Sequence, residues 1–218
     1  LPKSGFVETW YDQSGNSNDA TQATAGSQPK IVDAGSLVTS SGLASIEFDA
    51  TDDTLIADSV ASVFSGTNKI FSHFSVTEFN TSSDSMVTAS LGNSSANNPT
   101  IFLQVSAAQT NILFARGDSA SATGSPASGT LSANTPYLTH GTTNGTAQAQ
   151  FINSNAAGTA SANTGAMTLN RFTLGALRRV STSSFYDGSI SEFIIYNDDQ
   201  TANRTAIEAN IITHYGIS

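Results

Sequence analysis

Cysteine is absent from this 218-residue chain. That excludes a disulfide framework and a thiolate metal centre, so the fold must hold itself together by packing. Basic residues are scarce too, with eight Lys and Arg against seventeen Asp and Glu for a net charge of −9. Such a charge repels phosphate backbones and anionic head groups, so neither nucleic acid nor a lipid surface is an expected partner. No apolar run is long enough to span a bilayer, and membrane insertion is not expected either. Charged residues make up only 11% of the chain, which is dominated by Ser, Thr, Ala, Asn and Gly. This is the composition of a protein kept in solution by neutral polar faces and many turns. The chain starts at Leu1 and not at Met, and no signal peptide is expected in it. One domain spanning residues 1–218, cut from or processed out of a longer polypeptide, is the expectation.

What is present is a succession of short β-type runs between turn clusters, at a spacing that suits a sandwich and not alternating βαβ units. The runs are Phe6 to Tyr11, Ala44 to Phe48, Thr54 to Ile56, Lys69 to Phe79, Ser85 to Leu91, Thr100 to Ser106, Asn111 to Arg116, Tyr137 to Thr143, Ala147 to Asn153, Arg171 to Leu177 and Phe185 to Tyr196. Ile101, Leu103 and Val105 share one face, as do Ile112 and Phe114, while Phe102 and Leu113 between them predict strands covered on both sides. The small polar stretches Asp118 to Asn134 and Asn153 to Gly165 read as long surface loops. A single helix is predicted over Gln200 to His214, with Ala206, Ile207, Ile211 and Tyr215 on its packing face and Gly216 ending it.

The most informative segment is Trp10 to Gln22, WYDQSGNSNDATQ. An aromatic strand end runs straight into a loop whose Asp12, Ser14, Asn16, Asn18 and Asp19 can bond nearby amides, while Gly15 can take positive φ. This motif resembles the opening of the catalytic domain of the alpha-L-arabinofuranosidase B family and of related laminin-G-like or concanavalin-like jelly rolls found in bacteriophage tail and virion proteins. The pieces Gln28 to Val32 (QPKIV), Ala44 to Leu55 (ASIEFDATDDTL), Phe185 to Tyr196 (FYDGSISEFIIY) and the terminal IEANIITHYGI resemble the same family in the same order. The resemblance implies an all-β fold, an antiparallel two-sheet jelly-roll sandwich of concanavalin A-like type with a short C-terminal helix. It does not carry the activity over. The family's cysteine pair falls on Val87 and Thr88, its nucleophilic Glu on Ser95, and its acid/base Asp, counted from Thr173, Leu174 and Gly175, on Arg179 or a close neighbour. A retaining glycosidase needs two carboxyl groups, so no catalytic residue is assigned.

The remaining candidates each have a bland reading beside the functional one. His73, His140 and His214 stand in no metal-ligand spacing and read as structural or solvated. Trp10, Tyr11, Tyr137 and Tyr186 are candidate platforms for a sugar ring, against core packing as the alternative. The adjacent Arg178 and Arg179 are candidates for an acidic sugar or a partner carboxylate, against a solvated loop position. Hard oxygen ligands gather in the Asp12 to Asp19 loop and at Asp49, Asp52 and Asp53. Asp12, Asn18, Asp19 and Asp52 are the candidate calcium ligands, with turn capping the favoured reading and no other cofactor expected.

Together these readings predict a non-catalytic structural or attachment module of a bacteriophage virion, placed on a fibre, tail or head decoration. Its expected partners are other virion proteins, copies of itself and host-surface polysaccharide, and its expected location is the virion surface. The rival readings are a glycoside hydrolase of arabinofuranosidase type and a carbohydrate-binding domain of a secreted or cell-surface bacterial protein.

Overall fold

The computed structural model describes residues 3–80, 85–107, 111–116, 122–123, 130–161 and 165–218. Two antiparallel sheets face each other, and one helix closes the chain. In the first sheet the order is Gly5–Phe6, Lys30–Asp33, Ile46–Asp49, Asp187–Tyr196, Ile70–Phe79, Tyr137–Asn144, Ala147–Ile152 and Asn155–Ser161, with Ser36–Leu37 added on Lys30–Asp33. In the second it is Ala122–Thr123, Asn111–Arg116, Thr100–Val105, Met86–Gly92, Arg171–Leu174, Leu55–Ile56, Ala20–Thr21 and Thr9–Trp10.

Period-two patterning explains the layering. Phe48, Phe71, Phe79 and Ile190 from the first sheet and Ala89, Leu91, Ile101, Leu103, Phe172 and Leu174 from the second form the buried core between them. The alternate residues of the central strand, Phe74 and Val76, point the other way. With Leu138 they meet Ile211, Tyr215 and Ile217 in a second, smaller core beneath the helix Arg204–Tyr215. The strand Ile70–Phe79 is thus covered on both faces, and nearly all of it is buried.

The smaller core also holds a buried polar group. Glu208 lies with Oε2 2.7 Å from Arg204 Nη1 and Oε1 3.3 Å from Nδ1 of the buried His140. The His140 ring is stacked between Phe74 and Phe151, and Arg204 lies over Phe151. His73 is buried on the opposite face of the same sheet, and burial, followed by the nearby His140, drives its pKa down to about 3. It is a neutral core residue, whereas His214 is exposed.

Several boundaries differ from the sequence reading. Phe6 to Tyr11 is not one strand, because Gly5–Phe6 pairs in the first sheet and Thr9–Trp10 in the second. Asn155–Ser161, expected as loop, is a strand paired with Ala147–Ile152, since small neutral residues can fill an edge position without an alternating apolar face. Arg171 to Leu177 breaks at Gly175, whose φ of +87° turns the chain out of the sheet. A Cβ on Gly175 would sit 2.4 Å from the Phe48 ring, so the turn needs glycine for space as well as for conformation. On the helix, Ala206 is exposed and Glu208 takes the buried position beside Ile211 and Tyr215. The side chains of Ile112, Leu113 and Phe114, and most of the loop expected from Asp118 to Asn134, lie outside the described residues.

Candidate functional site

Strand directions sort the candidate residues between two ends of the sandwich. Gly92 pairs with Arg171 at one end, while Leu174, Gly175 and Asp187, which pairs with Asp49, mark the other. Trp10 and Tyr11, the Asp12 to Asp19 loop, Arg178 and Arg179 share the Gly92 end; Tyr137, Tyr186 and Asp52 share the Asp49 end.

At the first end the loop after Trp10 is ordered by its own carboxylates. Asp12 accepts from the Ser14 amide at 2.8 Å, the Ser14 hydroxyl at 2.8 Å and the Asn18 amide at 2.9 Å, and Asp19 accepts from the Asp12 amide at 2.8 Å. The Asn18 amide leads the causes that hold the Asp12 carboxyl below its ordinary value, followed by Ser14. These oxygens therefore serve the backbone. Trp10 is half-buried against the main core, and Tyr11 beside it is 66% exposed.

Across the same end, three strand spacings or roughly 14 Å away, stands a group of arginines. Arg178 is not solvated as the sequence suggested. It lies in the two-residue strand Leu177–Arg178, its Nη2 paired with Asp58 Oδ1 and its Nε 2.6 Å from Thr173 Oγ1. Arg179 Nη1 donates to the Asn97 carbonyl at 3.2 Å, and Arg171 Nη1 donates to the Arg179 carbonyl. Asn93 and Asn170 tie the adjoining loop down: Asn170 Oδ1 accepts from the Ser94 amide at 2.9 Å, and Asn93 Nδ2 donates to the Thr168 carbonyl at 2.7 Å. Of the eight basic residues in the chain, Arg171, Arg178 and Arg179 gather at this end.

Ser95 and Arg179 or a close neighbour, the positions matched to the resembling family's nucleophile and acid/base, lie on the same rim: Ser95 is in the loop from Asn93 to Asn97, and Arg179 donates to the Asn97 carbonyl of that loop. They bring a hydroxyl and a guanidinium, not the carboxyl pair that retaining hydrolysis requires.

The opposite end is acidic. Asp49, Asp52 and Asp53 bring carboxylate oxygens within 4.8 Å of one another and are the residues, among those described, that could hold a cation. Asp52 accepts from the Ser27 hydroxyl at 2.9 Å, and Asp53 from the Asp49 amide at 3.1 Å. Burial first, and the Asp49 charge second, push the Asp53 carboxyl up to about 6. Of the four calcium candidates only Asp52 belongs to this group, because Asp12, Asn18 and Asp19 lie at the other end. Tyr186 is 1% exposed and packed edge-on to Phe48, so its ring is a core element, and burial raises its hydroxyl pKa. Tyr137 is half-buried, with its hydroxyl accepting from the Ser132 amide at 2.9 Å.

Among the described residues, the middle of each broad face is covered. The helix covers the first sheet, and the segment Leu177 to Ser183 lies over the centre of the second. The cavity between the sheets, beside His73 and Phe193, is about 10 Å³ and too small for a sugar. Arg171, Asn93, Asn97, Asn170 and Asp58 escaped the sequence reading, because neither lone polar residues nor an ion pair spanning 120 positions leaves a local signal.

No family model matches this sequence, and no curated protein matches it. Solved structures do match. The CBM40 of the Ruminococcus gnavus IT-sialidase bound to alpha2,6 sialyllactose superposes with a TM-score of 0.57 at 12% identity, over 70% of this chain and 86% of that one. A SAP-like pentraxin from Limulus polyphemus gives 0.55 at 12% identity, over 74% and 79% of the two chains. The K499G mutant of NanB sialidase from Streptococcus pneumoniae gives 0.56 at 14% identity, over 74% of this chain and 27% of that one. At these identities the likeness shows the fold: the chain is an antiparallel jelly-roll sandwich of the concanavalin-like kind. Nothing in these comparisons supports the arabinofuranosidase or bacteriophage resemblance.

Proposed function

We propose that this domain is a non-catalytic glycan-recognition module that binds its ligand at the arginine end. The observation that carries this reading is that the exposed Tyr11 and the group Arg171, Arg178 and Arg179 share one end of the sandwich, three strands apart. An aromatic ring offers a face to the apolar side of a sugar, and arginines offer paired donors to hydroxyls or to a sugar carboxylate. The superposition on a CBM40 bound to sialyllactose supports an anionic sugar as the first ligand to test. Binding without hydrolysis follows from Ser95 and Arg179 standing where the resembling glycosidases carry carboxyl groups.

Attachment to host-surface glycans is the role we assign to such a module, displayed on a virion or, as the alternative, on a secreted or cell-surface bacterial protein. Calorimetric titration with 3′- and 6′-sialyllactose and with lactose tests the binding. Saturable binding of a sialylated sugar that weakens in Arg179→Ala supports the reading, and equal silence towards all three sugars contradicts it. Incubation with aryl arabinofuranosides should give no turnover; turnover lost on replacing a carboxylate would reinstate the hydrolase.

A further inference from the structure

The segment Leu177 to Ser183 leaves the second sheet at Gly175, runs back over its outer face as the hairpin Leu177–Arg178 and Thr182–Ser183, and rejoins the chain at Tyr186. Beneath it lies a row of hydroxyls. Ser90 donates to the Ala176 carbonyl at 2.7 Å and accepts from the Arg178 amide at 3.1 Å, and Thr173 accepts from Arg178 Nε. Ser90, Thr88 and Thr173 are buried although they point away from the core. Thr88 donates to the Leu103 carbonyl of the adjoining strand, whereas the partners of Ser90 and Thr173 are polar atoms of a chain laid across them, which is how a bound sugar would satisfy the same two groups. At Gly92 the hairpin comes so close that a Cβ would stand 2.2 Å from the Arg178 carbonyl oxygen.

The hairpin is held by few charged contacts. One is the pair between Arg178 and Asp58, which stands at the surface with its side chain 44% exposed. Asp58 also accepts from the Phe172 amide at 3.0 Å, so its own position does not depend on the arginine. A carboxylate arriving beside Arg171 and Arg179 would compete for the Arg178 guanidinium from the solvent side.

We infer that the hairpin from Leu177 to Ser183 is a built-in occupant of the ligand-binding face, clasped by Asp58, and that an anionic glycan draws Arg178 from Asp58 and gains Thr173 and Ser90, the groups beneath the hairpin, by displacing it. The inference rests on the glycan reading above and adds a regulation to it: the strength of the clasp sets the affinity. Two substitutions open the face by unrelated means. Asp58→Asn keeps an acceptor for the Phe172 amide but removes the charge that holds Arg178. Gly92→Ala leaves every charge in place and pushes the hairpin off the sheet by contact alone.

The test combines limited trypsin digestion, which reads hairpin opening at Arg178 and Arg179, with titration of sialyllactose. In both variants cleavage at these arginines should rise by about tenfold or more, tracking the open population, and sialyllactose should bind more tightly than to the unaltered chain. Sialyllactose should also speed cleavage of the unaltered chain. Equal binding by all three proteins, or a ligand that protects the hairpin, overturns the displacement while leaving glycan binding intact. Faster cleavage with no sugar bound by any of them overturns the glycan reading and the regulation with it. A melting curve for each variant, retaining one cooperative transition, separates local opening from global unfolding.

Discussion

At the arginine end the carboxylates are spent on the backbone: Asp12 and Asp19 accept amide and hydroxyl bonds that close an irregular loop, and Asp58 is matched by Arg178. At the opposite end three carboxylates crowd together, and the most buried of them, Asp53, is pushed up to about 6. Both ends are Asp-rich turns, yet the signs of their electrostatics differ. Hydrogen bonds favour the ionised form of Asp12, whereas burial and the Asp49 charge penalise that of Asp53. A turn rich in aspartate is therefore not one kind of object. What the neighbouring backbone offers decides whether the charge stabilises or strains the fold.

The largest expected effect tests the acidic end as a fixed part of the core. Gly175→Ala forces a side chain into positive φ and into the Phe48 ring, and should cost on the order of 3–5 kcal/mol in chemical denaturation. Gly92→Ala meets a contact just as short, but the hairpin above it can lift, so its cost should be clearly smaller. Equal costs would remove the distinction between the two ends.

Next is a stabilising change. Because the folded-state pKa of Asp53 is raised from 3.8 to about 6, its charge disfavours the native state at neutral pH. Stability linked to this group is full below about pH 4 and is lost as the pH rises through about 6. Asp53→Asn should thus stabilise at pH 7 by roughly 2 kcal/mol, with the gain fading towards pH 4. A gain that persists in acid would show that the charge is not its source.

A smaller effect of opposite sign is expected in the loop. Asp19→Ala removes the acceptor for the Asp12 amide and should lower stability by about 1 kcal/mol; an unchanged melting temperature would mean that the loop is not ordered this way. Asp12, with its pKa lowered, stabilises above the ordinary value of 3.8, and the cost of Asp12→Asn should shrink as the pH falls below it. Smallest of all, Arg179→Ala should change stability by less than about 0.5 kcal/mol while weakening the glycan.

The two-sheet sandwich was legible because its strands carry period-two signals that need no partner to be seen: Ile101, Leu103 and Val105 are buried on one face as their spacing predicts. The terminal helix was legible from its spacing and from Gly216, which does adopt a left-handed conformation. Strand Asn155–Ser161 was not, because its residues are all small and only the neighbouring strand tells them which way to lie. The Asp12 to Asp19 loop read correctly as a backbone-ordering device, since its bonds are local. The arginine rim did not, because Asp58, Arg171 and Asn97 approach Arg178 and Arg179 only through strand order. For Tyr186 the core-packing alternative is the one the structure shows, and an aromatic residue beside a turn gives no sign in sequence that its neighbour is Phe48.

The central claim is that ligand recognition belongs to the arginine end, and amide chemical-shift mapping during a sialyllactose titration tests it most directly. The account predicts that shifts cluster at Tyr11, Asn93 to Asn97, Asn170, Arg171 and Arg178 to Ser183, with Asp49 to Asp53 and Tyr137 unmoved. Shifts centred on the aspartate end, or none at millimolar sugar, would contradict it.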